Sequence, residues 1–163
     1  MLARRDVLKG SVALLLAPLA ACGPSVGPQE ISWGRDACEH CRMIISERPF
    51  AAELRDGERK RIHKFDDIGC AIHWAKANNQ PLEKAAEFWV MSHTDGKTWL
   101  DARQAQYRVD VRSPMNYNFA AEPTRSDASV TFDEMISRLA AGISHSDCPP
   151  PNSSVVVADS RAG

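Results

Sequence analysis

The chain has 163 residues, with 20 lysines and arginines against 21 aspartates and glutamates and a net charge of −1. That length suits one domain with a real core. A balanced charge with no basic stripe argues against nucleic acid as a partner.

The N-terminus opens Met1-Leu2-Ala3-Arg4-Arg5-Asp6-Val7-Leu8-Lys9, a twin-arginine-like start. An apolar run follows from Val12 to Leu19, interrupted by Pro18. A run of roughly 7–15 residues fits a signal h-region and is too short to span a bilayer. It ends Leu19-Ala20-Ala21-Cys22-Gly23, which resembles the bacterial lipobox. Residues 1–21 are therefore expected to be a removed signal peptide, with Cys22 lipidated. Two or more acyl chains hold a protein stably at a membrane. The expected location is the periplasmic face of a bacterial membrane, inner or outer. Residues 22–30, rich in glycine and proline, read as a flexible tether.

The stretch Asp36-Ala37-Cys38-Glu39-His40-Cys41-Arg42-Met43-Ile44-Ile45 comes next. It places two thiols, an imidazole and a thioether within six positions. Thiolate and thioether are soft donors, and soft donors suit Cu(I). In an extended segment residues two apart point the same way, so Cys41 and Met43 are the first candidates to face one ion. Cys38 and His40 are further candidates.

Phe50 to Arg55 and Lys60 to Phe65 read as a β-hairpin closed by Asp56-Gly57, a turn signal for positive φ. Its tip, Arg55 to Arg61, reads as a solvated charged run. Asp66 or Asp67 should cap a helix running to about Asn78. Ile68, Ala71, Ile72 and Ala75 form one apolar stripe on it, and Cys70, Trp74 and Ala77 a second, the pattern of a helix between two layers. Glu87 to His93 reads as a strand, Asp95-Gly96 as a turn into Lys97 to Leu100, and Tyr107 to Val111 as a further strand. Ser113 to Tyr117 reads as a loop, and Asn118 to Ala121 as a strand. Thr131-Phe132-Asp133-Glu134 has capping-box spacing. It opens a helix with Phe132, Met135, Ile136 and Leu139 on one face, ending at Gly142. Residues 144–163, with Pro149-Pro150-Pro151, read as a disordered tail. Phe65-Asp66-Asp67-Ile68 and Phe132-Asp133-Glu134-Met135 echo one another, as two copies of a strand–strand–helix unit would.

Other chemistries compete for the same thiols. Cys38-x2-Cys41 with Cys70-x2-His73 supplies three sulfurs and a nitrogen, a legitimate zinc set for a membrane-tethered interaction module. Cys38-x2-Cys41 alone could be a redox pair of a thiol oxidoreductase, but that needs a helix after the motif, and Pro49 leaves little room for one. His63, His73 and His93 read as hydrogen-bonded structural residues. Met115 could supply a distant sulfur. Cys148, beside His145, reads as a free or disulfide-bonded thiol, and a Cys70–Cys148 pair stays open. No Ser/His/Asp set, phosphate-cradling loop or paired-carboxylate arrangement points to an enzyme.

The lipobox, Cys38-x-x-Cys41-x-Met43, Phe65-Asp66-Asp67-Ile68-Gly69-Cys70, Trp99-Leu100-Asp101-Ala102-x-x-Ala105-x-Tyr107 and Ser113-Pro114-Met115 together resemble the NosL family of nitrous oxide reductase accessory lipoproteins. The resemblance spans about residues 20–140. It implies an α+β fold of two ββαβ-type repeats, similar to the organomercurial lyase core, at about 31–94 and 95–143. It implies a Cu(I) chaperone for the copper centres of nitrous oxide reductase, working with a membrane ABC-type transporter and a periplasmic maturation protein. Apo nitrous oxide reductase would then be reached indirectly. The family's Cys-Gly-Met triplet falls on Cys41-Arg42-Met43, which implies a ligand role for Cys41 and Met43. Arginine stands where the family has glycine, and arginine disfavours positive φ.

Overall fold

The computed structural model describes residues 26–109 and 111–142. The expected signal peptide, Cys22, and the tail with His145 and Cys148 lie outside them. Seven strands and two α-helices follow in order: β1 (Ala52–Arg55), β2 (Ile62–Phe65), α1 (Ile68–Ala77), β3 (Glu87–Met91), β4 (Trp99–Asp101), β5 (Gln106–Arg108), β6 (Ala120–Glu122), β7 (Ser129–Val130) and α2 (Phe132–Ala140). Short 3₁₀ turns occupy Arg48–Phe50 and Leu82–Lys84. The class is α+β. The first half forms an antiparallel sheet ordered β2-β1-β3-β4, and the second an antiparallel sheet ordered β6-β5-β7. The two-residue β7 was not foreseen, because a strand that short carries no alternation to read.

Strand β1 is central and buried along its whole length. Ala52 and Leu54 share a face with Phe65, Phe88 and Val90, their cross-strand neighbours, and this face builds the core. Helix α1 packs over β1 and β2. Phe132, at the start of α2, joins the halves: its ring meets Phe88 edge-on at 5.9 Å and Tyr107 at 6.2 Å. The expected stripe on α2 holds, with Phe132, Met135 and Leu139 buried and Ile136 partly so. Ala102, Ala105 and Tyr107 are buried core residues as well.

The opposite face of β1 carries Glu53 and Arg55 and is covered by residues 26–30, from the stretch expected to be a tether, and by Ile31. The Gly27 N–H donates to Glu87 at 3.0 Å, the Gln29 N–H donates to Glu53 at 2.7 Å, and Ile31 is buried. Arg55 is accordingly not part of a solvated tip. It is 6 % exposed and donates to Glu87 at 2.9 Å and to the carbonyls of Lys60 and Gly27, each at 3.0 Å.

The β1–β2 connection also differs from the expected tight turn. Arg55 pairs with Ile62, so six residues form the loop, and the positive φ (60°) falls on Lys60 rather than Gly57. Glycine serves at 57 for a different reason. A Cβ there would run into the Lys84 carbonyl oxygen. At Asp95-Gly96 the reading holds: Gly96 has φ 61°, and Asp95 accepts from the N–H groups of Lys97 (2.9 Å) and Thr98 (3.0 Å).

Candidate metal centre

The cysteine loop is a closed backbone structure. Ala37 bridges Ile44, the Cys38 N–H donates to the Met43 carbonyl at 2.8 Å, and the Arg42 N–H donates to the Cys38 carbonyl at 3.0 Å. That closure needs one residue in the left-handed region, and Arg42 takes it with φ 68°. Buried Ile45 pins one end of the loop. The Glu39 N–H ties the middle to the Lys64 carbonyl of β2 at 2.9 Å. Lys64 Nζ donates to Asp36 at 2.8 Å and to the Glu30 carbonyl at 2.6 Å, fixing the approach.

The second wall is the β2–α1 junction. Asp67 is the N-cap of α1, accepting from the Gly69 N–H at 3.0 Å, as a carboxylate at a helix start should. Its other oxygen accepts from Ser113 Oγ at 2.5 Å and the Met115 N–H at 3.3 Å. Two of the sequence motifs, Asp66-Asp67 and Ser113-Pro114-Met115, thereby meet in space. With Asp67 turned inward to cap the helix, Asp66 faces the cysteine loop. Cys70, in the first turn of α1, stands on the same side.

The result is a compact donor set. The sulfurs of Cys38, Cys41 and Cys70 and a carboxylate oxygen of Asp66 all lie within 4.8 Å of one another. Cys38, Cys70 and Asp66 are buried, and all three cysteines are free thiols. Cys41 is half-buried and forms the rim, its sulfur 3.5 Å from both Asp66 oxygens.

Proximity sets the charge. Hydrogen bonds from the Cys38 and Cys70 thiols, with help from the Met43 N–H, bring the Cys41 thiol down to about 4 against the opposing effects of burial and Asp66. The same contacts, Cys38 first and then Cys41, drive the Cys70 thiol far up. Burial, and then Cys38, raises Asp66 to about 7. The group therefore carries a thiolate at its exposed member, Cys41, and keeps the proton on Cys70. A thiolate is the form that binds metal or attacks an electrophile.

The remaining candidates stand around this group. Met43 is 54 % exposed and Ile44 50 %, forming an apolar lip beside Cys41. The positive φ at Arg42 interrupts the extended geometry that would have aimed Cys41 and Met43 alike. His40 and His73 are not among the four donors. They stack on each other at 5.9 Å, and His73 stacks on Tyr117 at 5.1 Å. Burial, and then His40 and Lys76, lowers the His73 pKa. Met115 is partly buried against the core, with its N–H on Asp67. His63 packs on Trp74 at 4.0 Å and His93 on Phe50 at 5.2 Å, both away from the thiols. Of the zinc set read from sequence, the three sulfurs converge, and Asp66 stands with them where His73 was expected. Asp66 precedes the extended N-cap Asp67 and is outside the helix, so no helical spacing in the sequence singled out that carboxylate. No helix follows Cys41, so the geometry of a thioredoxin-type motif is absent from the described residues.

No protein-family model matches the sequence, and no curated protein matches it. Among solved structures, the crystal structure of the copper chaperone NosL from Shewanella denitrificans superposes with a TM-score of 0.54, covering 71 % of this chain and 89 % of that one at 18 % sequence identity. The chain has the NosL fold. On that fold, the cysteine loop and the start of α1 bring three thiols and a carboxylate to one point, an arrangement able to hold a metal ion.

Proposed function

We propose that the chain is a Cu(I) carrier, lipid-anchored through Cys22 on the periplasmic side of a bacterial membrane, serving the maturation of nitrous oxide reductase. The observation that carries the reading is the three-thiol group with a single half-exposed thiolate, set on the fold of a copper chaperone. Three sulfurs are a soft set, and soft sets favour Cu(I). Cys41 is the capturing ligand. Cys38 and Cys70 take up the ion from below, Cys70 giving up its proton as it does so. Met43, at the lip, supplies the outermost sulfur, where an incoming donor from a partner can replace it before the thiolates let go. His40 and Met115 are the remaining donors within reach of the loop and its neighbouring wall. The ion is cargo, so the chain transports and does not catalyse. An ABC-type transporter and a periplasmic maturation protein are the proposed partners, with nitrous oxide reductase as the destination.

The presence of Asp66 favours a second reading. A carboxylate is a hard donor, and three thiolates with one carboxylate form a closed tetrahedral set for zinc. A zinc-stabilised interaction module would hold its ion through purification and would not release it to a competitor.

A titration of the reduced protein with Cu(I) against a chromophoric Cu(I) chelator decides between them. The expected result is one tightly held Cu(I), lost with Cys41→Ser, strongly weakened with Cys70→Ser, and weakened least with Met43→Leu. Zinc retained against the chelator, with no Cu(I) uptake, would overturn the carrier reading.

A further inference from the structure

One guanidinium ties together two parts of the chain that are far apart in sequence. Arg55 donates to the Gly27 carbonyl and to the Lys60 carbonyl, both at 3.0 Å. Gly27 follows Val26, the first described residue, in the stretch that connects to Cys22. Lys60 is in the loop between β1 and β2. The hairpin tip therefore sits beside the point where the domain joins its anchor. Four residues lie between Gly27 and Cys22, five steps of at most about 18 Å in all.

That tip is basic. Arg59, Lys60 and Arg61 are consecutive and exposed, and Lys84 stands next to them, because its carbonyl packs against Gly57. The nearby acids are Glu58 and Glu83, both exposed, and Glu39, which pairs with Arg61 at 3.1 Å. Asp56 is turned inward, accepting from the Arg59 N–H and facing His63 at 3.5 Å. Arg59 and Arg61 also line a polar cleft of about 220 Å³ together with Asn78 and Gln80 and with the carboxylates of Asp56 and Glu58.

We propose that the β1–β2 hairpin tip is a contact surface for the anionic phospholipid headgroups of the membrane. Its orientation rests on the lipid-anchored reading given above. The consequence is directional. Strand β2 runs from the tip to Asp66, five residues beyond Arg61, or about 17 Å at a strand's rise per residue. A tip resting on the headgroups holds the thiol group at the far end of the hairpin, away from the lipid and open to a protein partner.

The test uses the full chain carrying Cys22→Ser, so that no acyl chain contributes. Co-sedimentation is measured with phosphatidylcholine vesicles with and without phosphatidylglycerol, and the readout is the ratio of the two affinities. Every variant also carries Arg4→Gln/Arg5→Gln/Lys9→Gln, so the cations ahead of the apolar run at 12–19 are gone, and partitioning by the run itself is common to both lipids and cancels in that ratio. The ratio should be well above one and fall steeply with added salt. Arg59→Gln/Lys60→Gly/Arg61→Gln should lower it by about fivefold per cation, on the order of 100-fold in all. Lys97→Gln/Arg125→Gln, removing exposed charges from other loops, should leave it unchanged. Circular dichroism confirms that each variant is folded. Equal binding to both lipids, or a ratio that survives the triple variant, overturns the proposal. The mass of Cys22 in the bacterially expressed wild type reports acylation separately. An unmodified Cys22 would remove the anchor while the headgroup surface stands on the vesicle result.

Discussion

The two halves of the molecule use the same kind of residue for opposite purposes. In the first half, Asp66 and Asp67 lead into α1 and are buried at 3 % and 0 % exposure. In the second half, Asp133 and Glu134 open α2 and are exposed, with Glu134 pairing to Arg138 at 2.6 Å along the helix. The cap of α1 is Asp67, holding three hydrogen bonds in the interior. The cap of α2 is exposed Thr131, holding one at 3.4 Å. Acids at a helix start are normally a surface device that complements the helix dipole. The second half shows that ordinary use. The first half has turned the same chemistry inward to build a site, which requires carboxyl groups held out of water.

The largest test of this contrast is to remove each cap. Asp67→Ala takes away a cap and two further hydrogen bonds in a dry environment, so a loss of about 3 kcal/mol or more is expected. Thr131→Ala should lose about 1 kcal/mol. Urea unfolding of both variants gives the comparison, and equal losses would mean that the inward carboxylate is no more important than the surface hydroxyl.

A smaller effect concerns pH. Burial holds Glu53 at about 7, Asp66 at about 7 and Asp67 at about 6 in the folded chain, against ordinary values near 4. One Glu53 oxygen is buried with no hydrogen-bond partner, consistent with a protonated group. The unfolded chain gives up these protons first as pH rises. The stability tied to them is therefore complete below about pH 4 and is lost as pH climbs through 7. Asp36, held low by Lys64, works the other way, losing its contribution as pH falls. Burial pushes Asp56 and Glu87 up, but hydrogen bonds from the Arg59 N–H and the Arg55 guanidinium outweigh it and leave them low as well. Those three groups are already ionised in both states above pH 5. The group that opposes the buried acids between pH 5 and pH 8 is Cys41, whose thiol is brought down to about 4 and which gains stability as pH rises. The metal-free protein should thus be more stable near pH 5 than near pH 8, by about 2 kcal/mol after Cys41 is counted. Urea midpoints at the two values measure it. The difference should shrink in Asp66→Asn and Glu53→Gln and stay unchanged in Glu134→Gln.

The smallest effect sharpens the picture of the cysteine loop. A non-glycine residue in the left-handed region is strained by roughly 1–2 kcal/mol. Arg42→Gly should therefore stabilise the fold by about 1 kcal/mol, less the added freedom of the unfolded chain. A destabilised variant would mean that the arginine side chain makes a contact worth more than the strain.

These contrasts also show what could be read from the chain. Both helices, an aspartate cap at 66 or 67 and the Asp95-Gly96 turn were legible, because caps and turns are decided by a few adjacent residues. The three sulfurs could be named together as a metal set, but Asp66 could not be added to them. Adjacent aspartates offer two carboxylates, and only the packing of the cysteine loop onto the junction decides which caps and which turns to the thiols. The Phe-Asp-Asp-Ile and Phe-Asp-Glu-Met echo was out of phase for the same reason. Phe65 ends a strand while Phe132 begins a helix, so Asp67 corresponds to Thr131. The Cys41–Met43 alignment assumed extended backbone, and a single positive φ at Arg42 removed that premise. Residues 26–30 read as linker because they fall in the glycine- and proline-rich stretch 22–30. Their docking is made by backbone N–H groups, which composition does not reveal.

The hydrogen bonds that Asp67 accepts from Ser113 and Met115 span 46 and 48 residues of chain. They make the start of α1 depend on a loop that is synthesised much later. A nascent chain that has emerged only through β4 therefore has its cysteines without the brace that seats them. Such a piece would expose those thiols to indiscriminate oxidation. The safe order of assembly is to finish both halves before the sulfurs meet any ion.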